Sequence, residues 1–112
     1  MIIYKILRAD EYATLEAQGE IPGAPVDVED GYVHFSTALQ ARETAAKHFA
    51  GETELKLLAY DPDKMNGELK WEESRGGDLF PHLYGPLVLA DAVEVRDLQL
   101  GPTGHIFPDG VL

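Results

Sequence analysis

The sequence predicts an α+β fold with a bent, mostly antiparallel β-sheet and two main helices. Three observations carry this expectation. Helical signals cluster early in the 112 residues and strand signals late. The strand-like runs are short, about six in number by period and turn signals. No internal repeat, low-complexity tract or linker divides the chain, and 45 % hydrophobic residues suffice for one core. A single domain over residues 1–112 is expected, with an irregular glycine- and proline-rich tail over 101–112.

Each element has its own signal. "IIYKIL" (Ile2 to Leu7) is rich in β-formers and predicts the first strand. Asp10 can cap a helix running to about Gln18, with Tyr12 and Leu15 inward and Gly19 as its stop. "GEIPGAPVDVEDG" shows no helical period and predicts a long loop, a form often functional in small domains. "YVHFS" predicts the second strand. Thr37 and Gln40 then fit a capping box that opens a helix with Ala38, Ala41, Ala45 and Phe49 inward and Gly51 at its end. "ELKLLAY" predicts a strand, "GELKWEES" a short strand with Trp71 inward, and "LFPHLYGPL" an irregular stretch fixed by prolines. "PLVLADAVEVRDLQL" supplies one or two last strands with a turn near Ala90 and Asp91.

Charge narrows the function classes. Nine Lys and Arg against twenty Asp and Glu give a net charge of −11. Such a surface disfavours nucleic acid, which needs a basic patch to displace counterions, and disfavours anionic membranes. No apolar run approaches the roughly 20 residues of a membrane span, and no secretory pattern is visible. Cysteine is absent, so disulfides, thiolate catalysis and Cys-based zinc sites drop out. The expectation is a monomeric cytoplasmic protein whose partner is a small molecule, with a locally positive pocket still open to an anion.

Strand alternation places Tyr32, His34 and Ser36 on one face of "YVHFS", with Val33 and Phe35 on the other. That face leads to the N-terminus of the helix capped by Thr37, where free N–H groups and the dipole favour an anion. His34 is thus either a hydrogen-bonded interior histidine or a ligand-facing one. In "FPHLYG", His82 and Tyr84 sit on a stiffened segment, either presented to a ligand or packed as an aromatic plug. Glu72 and Glu73 point to opposite faces of a strand. Glu72 beside an inward Trp71 would be desolvated, with a raised pKa suited to acid–base work. His48 suits the negative end of its helix. Arg8, Arg42 and Arg75 are the cations most able to reach an anion near the site. A set of His34, His82 and a glutamate could hold a metal, but no H-x-H or H-x-x-x-H spacing supports it, so no metal is expected.

"IYKIL", "DGYVHFSTALQ", "HF" at His48–Phe49, "LKWEES" and "FPHLYG", in this order, closely resemble a small, mainly bacterial family known as domain-of-unknown-function 952. The resemblance implies a split, bent β-structure related to the ADP-ribosyltransferase-like superfamily, with a cleft that binds NAD or a related nucleotide. His34 and Ser36 match that superfamily's strand histidine and following hydroxyl, as H-F-S where many members have H-G-S or H-G-T. The resemblance implies that His34 bonds a ribose hydroxyl and that Tyr84 or Tyr60 stacks on nicotinamide. It also implies that Glu72 stabilises an oxocarbenium-like state. Two functions follow as expectations. One is a small ADP-ribosyltransferase-like or phospho-ribose-acting enzyme, with Tyr32, His34, Ser36, Thr37 and Tyr84 binding and Glu72 and His82 catalytic. The other is a binding module that keeps the cleft without turnover.

Overall fold

A computed structural model describes residues 1–111, apart from the side chain of Arg75; that candidate cation lies outside the described residues. The strands are β1 (Ile3–Leu7), β2 (Glu20–Ile21), β3 (Val33–His34), β4 (Ser36–Thr37), β5 (Leu55–Tyr60), β6 (Glu68–Glu73), β7 (Leu79–Tyr84), β8 (Leu87–Val88), β9 (Ala92–Gly101) and β10 (Gly104–Ile106). The helices are α1 (Ala9–Gln18), α2 (Pro25–Asp30) and α3 (Ala38–His48). All strand pairs are antiparallel. They form a five-stranded sheet in the order β10-β9-β5-β1-β4, a three-stranded sheet β3-β7-β6, and the small pair β2-β8. The expected α+β class with antiparallel sheet is observed, with a third helix added. No described helix is long and apolar enough to cross a membrane.

All five residues of β1 are buried because both of its faces are covered. Ile3 and Leu7 join Leu15, Val33, Phe35, Leu58, Tyr60 and Leu83 in one core. Tyr4 and Ile6 join Ala41, Ala45, Leu57 and Leu98 in a second core beneath α3. Small residues on α3 let it lie close to the sheet, as their spacing predicted.

The ends of the helices follow local chemistry. α1 starts one residue before Asp10: Arg8 stands at its cap, and the Arg8 backbone N–H donates to Glu11 Oε1 at 2.8 Å. Gly19, at φ 81°, ends it. On α3 the capping box forms in both directions, Gln40 N–H to Thr37 Oγ1 at 3.2 Å and Thr37 N–H to Gln40 Oε1 at 3.0 Å. Thr37→Ala is expected to cost about 1 kcal/mol, measured by urea denaturation; an unchanged midpoint would show that the cap is dispensable. The helix stops at His48, before Gly51, with the Phe49 N–H on the Ala45 carbonyl at 3.0 Å.

Five expectations need correction. The long loop contains β2 and α2: Pro25 occupies the first turn of α2, where its missing N–H costs nothing, and Gly31 at φ 87° closes it. "FPHLYG" is the central strand β7 of its sheet. "YVHFS" is two strands in two sheets. The registers Val33↔Leu83 and His34↔His82 place Phe35 opposite Pro81. The Phe35 N–H donates to the Pro81 carbonyl at 2.9 Å, but proline has no N–H to return. The β3–β7 ladder ends there, and the chain crosses to β1 as β4. The supposed irregular tail is partly strand, since β10 pairs with the end of β9. Trp71 is 40 % exposed: β6 is an edge strand, and of the face it shares with Leu69 only Leu69 reaches the core.

Candidate ligand-binding site

The crossing at Phe35 opens a cavity of about 400 Å³ between α2, α3, β1 and the three-stranded sheet. Its apolar wall includes Ile6, Val26, Phe49 and Phe80, and its polar wall includes Lys5, Arg8, His34, Ser36, His48 and His82. α3 contributes its flank, through Ala41, Thr44 and His48, and its first turn does not line the cavity. Thr37 is therefore a helix cap, and the N–H groups at that helix end do not face this space. Ser36 lines the wall with its hydroxyl paired to Thr44 at 2.8 Å.

Behind the wall lies an aspartate that sequence reasoning passed over. Asp27 of α2 is fully buried. Its Oδ2 accepts from the Ala24 N–H at 2.7 Å and from Lys5 Nζ at 2.7 Å. Its Oδ1 accepts from the His34 backbone N–H at 3.0 Å and faces the His34 ring Nδ1 at 2.6 Å. Lys5 Nζ also donates to the His34 carbonyl at 3.0 Å. Burial opposes ionisation of Asp27, but the bond to His34 and the charge of Lys5 outweigh it and hold the carboxyl at about 2. A carboxyl lowered in the folded state stabilises the fold fully above its unfolded value, about 4, and loses that contribution as pH falls to about 2. The loss should be about 2 kcal/mol across that window. Denaturation at pH 2, 3 and 5 should show a steeper acid loss for the wild type than for Asp27→Asn; equal slopes would remove Asp27 as its source.

His34 has a second carboxylate. Its Nε2 lies 3.0 Å from Asp30 Oδ2 at the C-terminal end of α2. Carboxylates only accept, so the ring can donate to both partners only when protonated.

His82 is 2 % exposed. Its Nδ1 faces Glu72 Oε1 at 2.9 Å, while its Nε2 is buried with no hydrogen-bond partner among the described residues. Tyr84 donates its hydroxyl to the same Glu72 oxygen at 2.7 Å. That bond, and then the His82 ring, hold the Glu72 carboxyl below its usual range, the opposite of the raised value expected from the sequence. The Tyr84 phenol is pushed up to about 12, chiefly by its bond to Glu72. Tyr32 stacks on His82 at 4.1 Å between ring centroids and touches the rings of His34 and Tyr84 at 4.7 and 5.3 Å. The His34 and His82 rings are 5.4 Å apart.

A family model described as a protein of unknown function, DUF952, matches residues 6–95. The chain belongs to the DUF952 family. Among solved structures it is similar to CC0527 from Caulobacter crescentus, at 46 % identity. The X-ray crystal structure of CC0527 superposes with a TM-score of 0.88, covering 94 % of this chain and 92 % of that one. Its solution NMR structure gives 0.82, with 93 % and 90 % covered. No curated protein matches the chain.

In this DUF952 chain the structure brings His34, Ser36 and His82 to one cavity. Tyr32, Glu72 and Tyr84 gather behind His82 and are not part of the cavity lining. Tyr60 is a core residue: it is 1 % exposed and its hydroxyl donates to the Val88 carbonyl at 3.0 Å. Arg8 lines the cavity and is held by Glu52 through bonds of 2.7 and 2.9 Å; Arg42 donates to the Val111 carbonyl, away from it. No group of three or more His, Asp or Glu side chains among the described residues is arranged to share a metal ion. His48 stands in the last turn of α3, as expected, and also lines the cavity with Ala41 and Thr44, with which it shares a helical face. The signal for Asp27 was the proline two residues before it, which opens a helix.

Proposed function

We propose that this DUF952 chain binds a small ribose-bearing ligand, a nucleotide or the nucleotide part of NAD, and that His34 and His82 move protons on it. The observation that carries this is the buried Nε2 of His82. Leaving such an atom without a partner costs about 1–3 kcal/mol, and a ligand hydroxyl would supply the partner. Because Glu72 only accepts, it keeps the proton of a neutral His82 on Nδ1 and leaves Nε2 as the basic nitrogen. Asp27 likewise fixes the Nδ1 proton of His34, whose Nε2 faces Asp30 at 3.0 Å. A volume of about 400 Å³ lies at the small end of ligand pockets, which suits a mononucleotide better than a whole dinucleotide. Phe49 and Phe80, rather than Tyr84 or Tyr60, supply aromatic surface there.

ADP-ribosyl transfer is supported by His34 and Ser36 on one wall. It is weakened by Glu72, which serves His82 and Tyr84 instead of facing the cavity. Binding without turnover is the second reading, favoured by Asp30, which occupies the His34 nitrogen a catalyst would use. Titration with AMP, ADP-ribose and NAD, followed on the histidine ring signals by NMR, should move His34 and His82 and leave His105 in place. His82→Gln should weaken binding about tenfold. No shift of any ring or amide at millimolar ligand would end the binding reading. Binding that His82→Gln leaves unchanged would end the role of His82.

A further inference from the structure

We infer that the ligand carries an anionic group, a phosphate or carboxylate, that takes the place of the Asp30 carboxylate against His34; this rests on the reading that the cavity binds a small molecule. The chain carries a net charge of −11, yet Lys5, Arg8 and three of its four histidines line this one cavity. Among the described lining residues Asp30 is the sole carboxylate. Lys5 is balanced by Asp27 behind the wall, and Arg8 by the two-bond fork of Glu52. His34 is different. Its inner nitrogen is fixed by fully buried Asp27, but its outer nitrogen meets Asp30 through one 3.0 Å contact with a side chain that is 42 % exposed.

Both His34 ring nitrogens face carboxylates, Asp27 Oδ1 at 2.6 Å and Asp30 Oδ2 at 3.0 Å, beside Lys5 on Asp27. Turning Asp30 away leaves the Nε2 edge of His34 without its acceptor, and an incoming anion takes that place. Asp30 next to Gly31, whose φ is 87°, sits where the helix ends and the chain reverses, so its side chain can turn to solvent without unwinding α2. His82 also lines the cavity, and its buried Nε2 lacks a partner among the described residues. The long-range field of an acidic protein repels anions. Any preference for an anion must therefore arise inside the cavity.

Calorimetric titration with AMP and with adenosine tests this on the wild type, Asp30→Asn and His34→Gln. Wild type should prefer AMP over adenosine by about tenfold, the effect of one charge-assisted hydrogen bond. Asp30→Asn should tighten AMP severalfold and leave adenosine unchanged, and His34→Gln should erase the preference. Equal binding of AMP and adenosine by the wild type overturns the inference while leaving the binding cavity standing. Weaker AMP binding by Asp30→Asn overturns it too, because Asp30 would then be a ligand contact. Absence of binding by both compounds to wild type and Asp30→Asn overturns the cavity reading itself.

Discussion

Asp27→Ala is expected to lower folding stability by about 3–5 kcal/mol, the cost of breaking a buried ion pair from one side. Lys5 would be left charged and only 6 % exposed, with the His34 carbonyl as its remaining partner. The Ala24 and His34 N–H groups would lose their acceptor as well. Replacing Lys5 by Met in the same chain should recover only part of the loss, since those two backbone donors stay unpaired. Equilibrium urea denaturation of the two single variants and the double variant measures this. A loss below about 1 kcal/mol for Asp27→Ala would mean that water replaces the aspartate and that the region is more open than described.

Phe35→Ala should have an effect of similar size, about 3–5 kcal/mol, by leaving a void in the larger core. Phe35 is 2 % exposed and meets Tyr60 edge-on, with ring centroids 5.3 Å apart. A Tm lower by roughly 10–20 °C is the readout. Because Phe35 also borders the cavity, the variant should enlarge the pocket and admit a bulkier ligand to a less stable protein. A fall of only a few degrees would show that neighbouring side chains collapse into the gap. Phe35 is thus a core residue at the crossing between two sheets.

Periodicity exposed the long elements well. β1, β5 and α3 are legible because their apolar spacing and caps agree with their packing, and Thr37 and Gln40 show the capping box in plain residues. Two-residue strands carry too few side chains to show a period, so β2, β3 and β4 could not be separated by pattern. β7 was hidden by Pro81, which normally argues against a central strand. Its partners tolerate the proline because the lost bond falls where β3 is ending. At the site, His34 and His82 were visible as histidines among apolar neighbours. The aspartate that fixes His34 was not, since its role depends on the fold of a segment seven residues away that shows no hydrophobic repeat. Glu72 is legible as a candidate, but the bond from Tyr84 and then the His82 ring, not burial beside Trp71, set its ionisation.

Pro81 also has a bearing on why there is a hollow to fill. Antiparallel neighbours zip together for as long as each residue can answer the other. One absent hydrogen at Pro81 halts the zipper after two rungs and sends the chain sideways to another sheet. The space beside His34 and His82 lies where the chain leaves β7 for β1, at the register of Pro81.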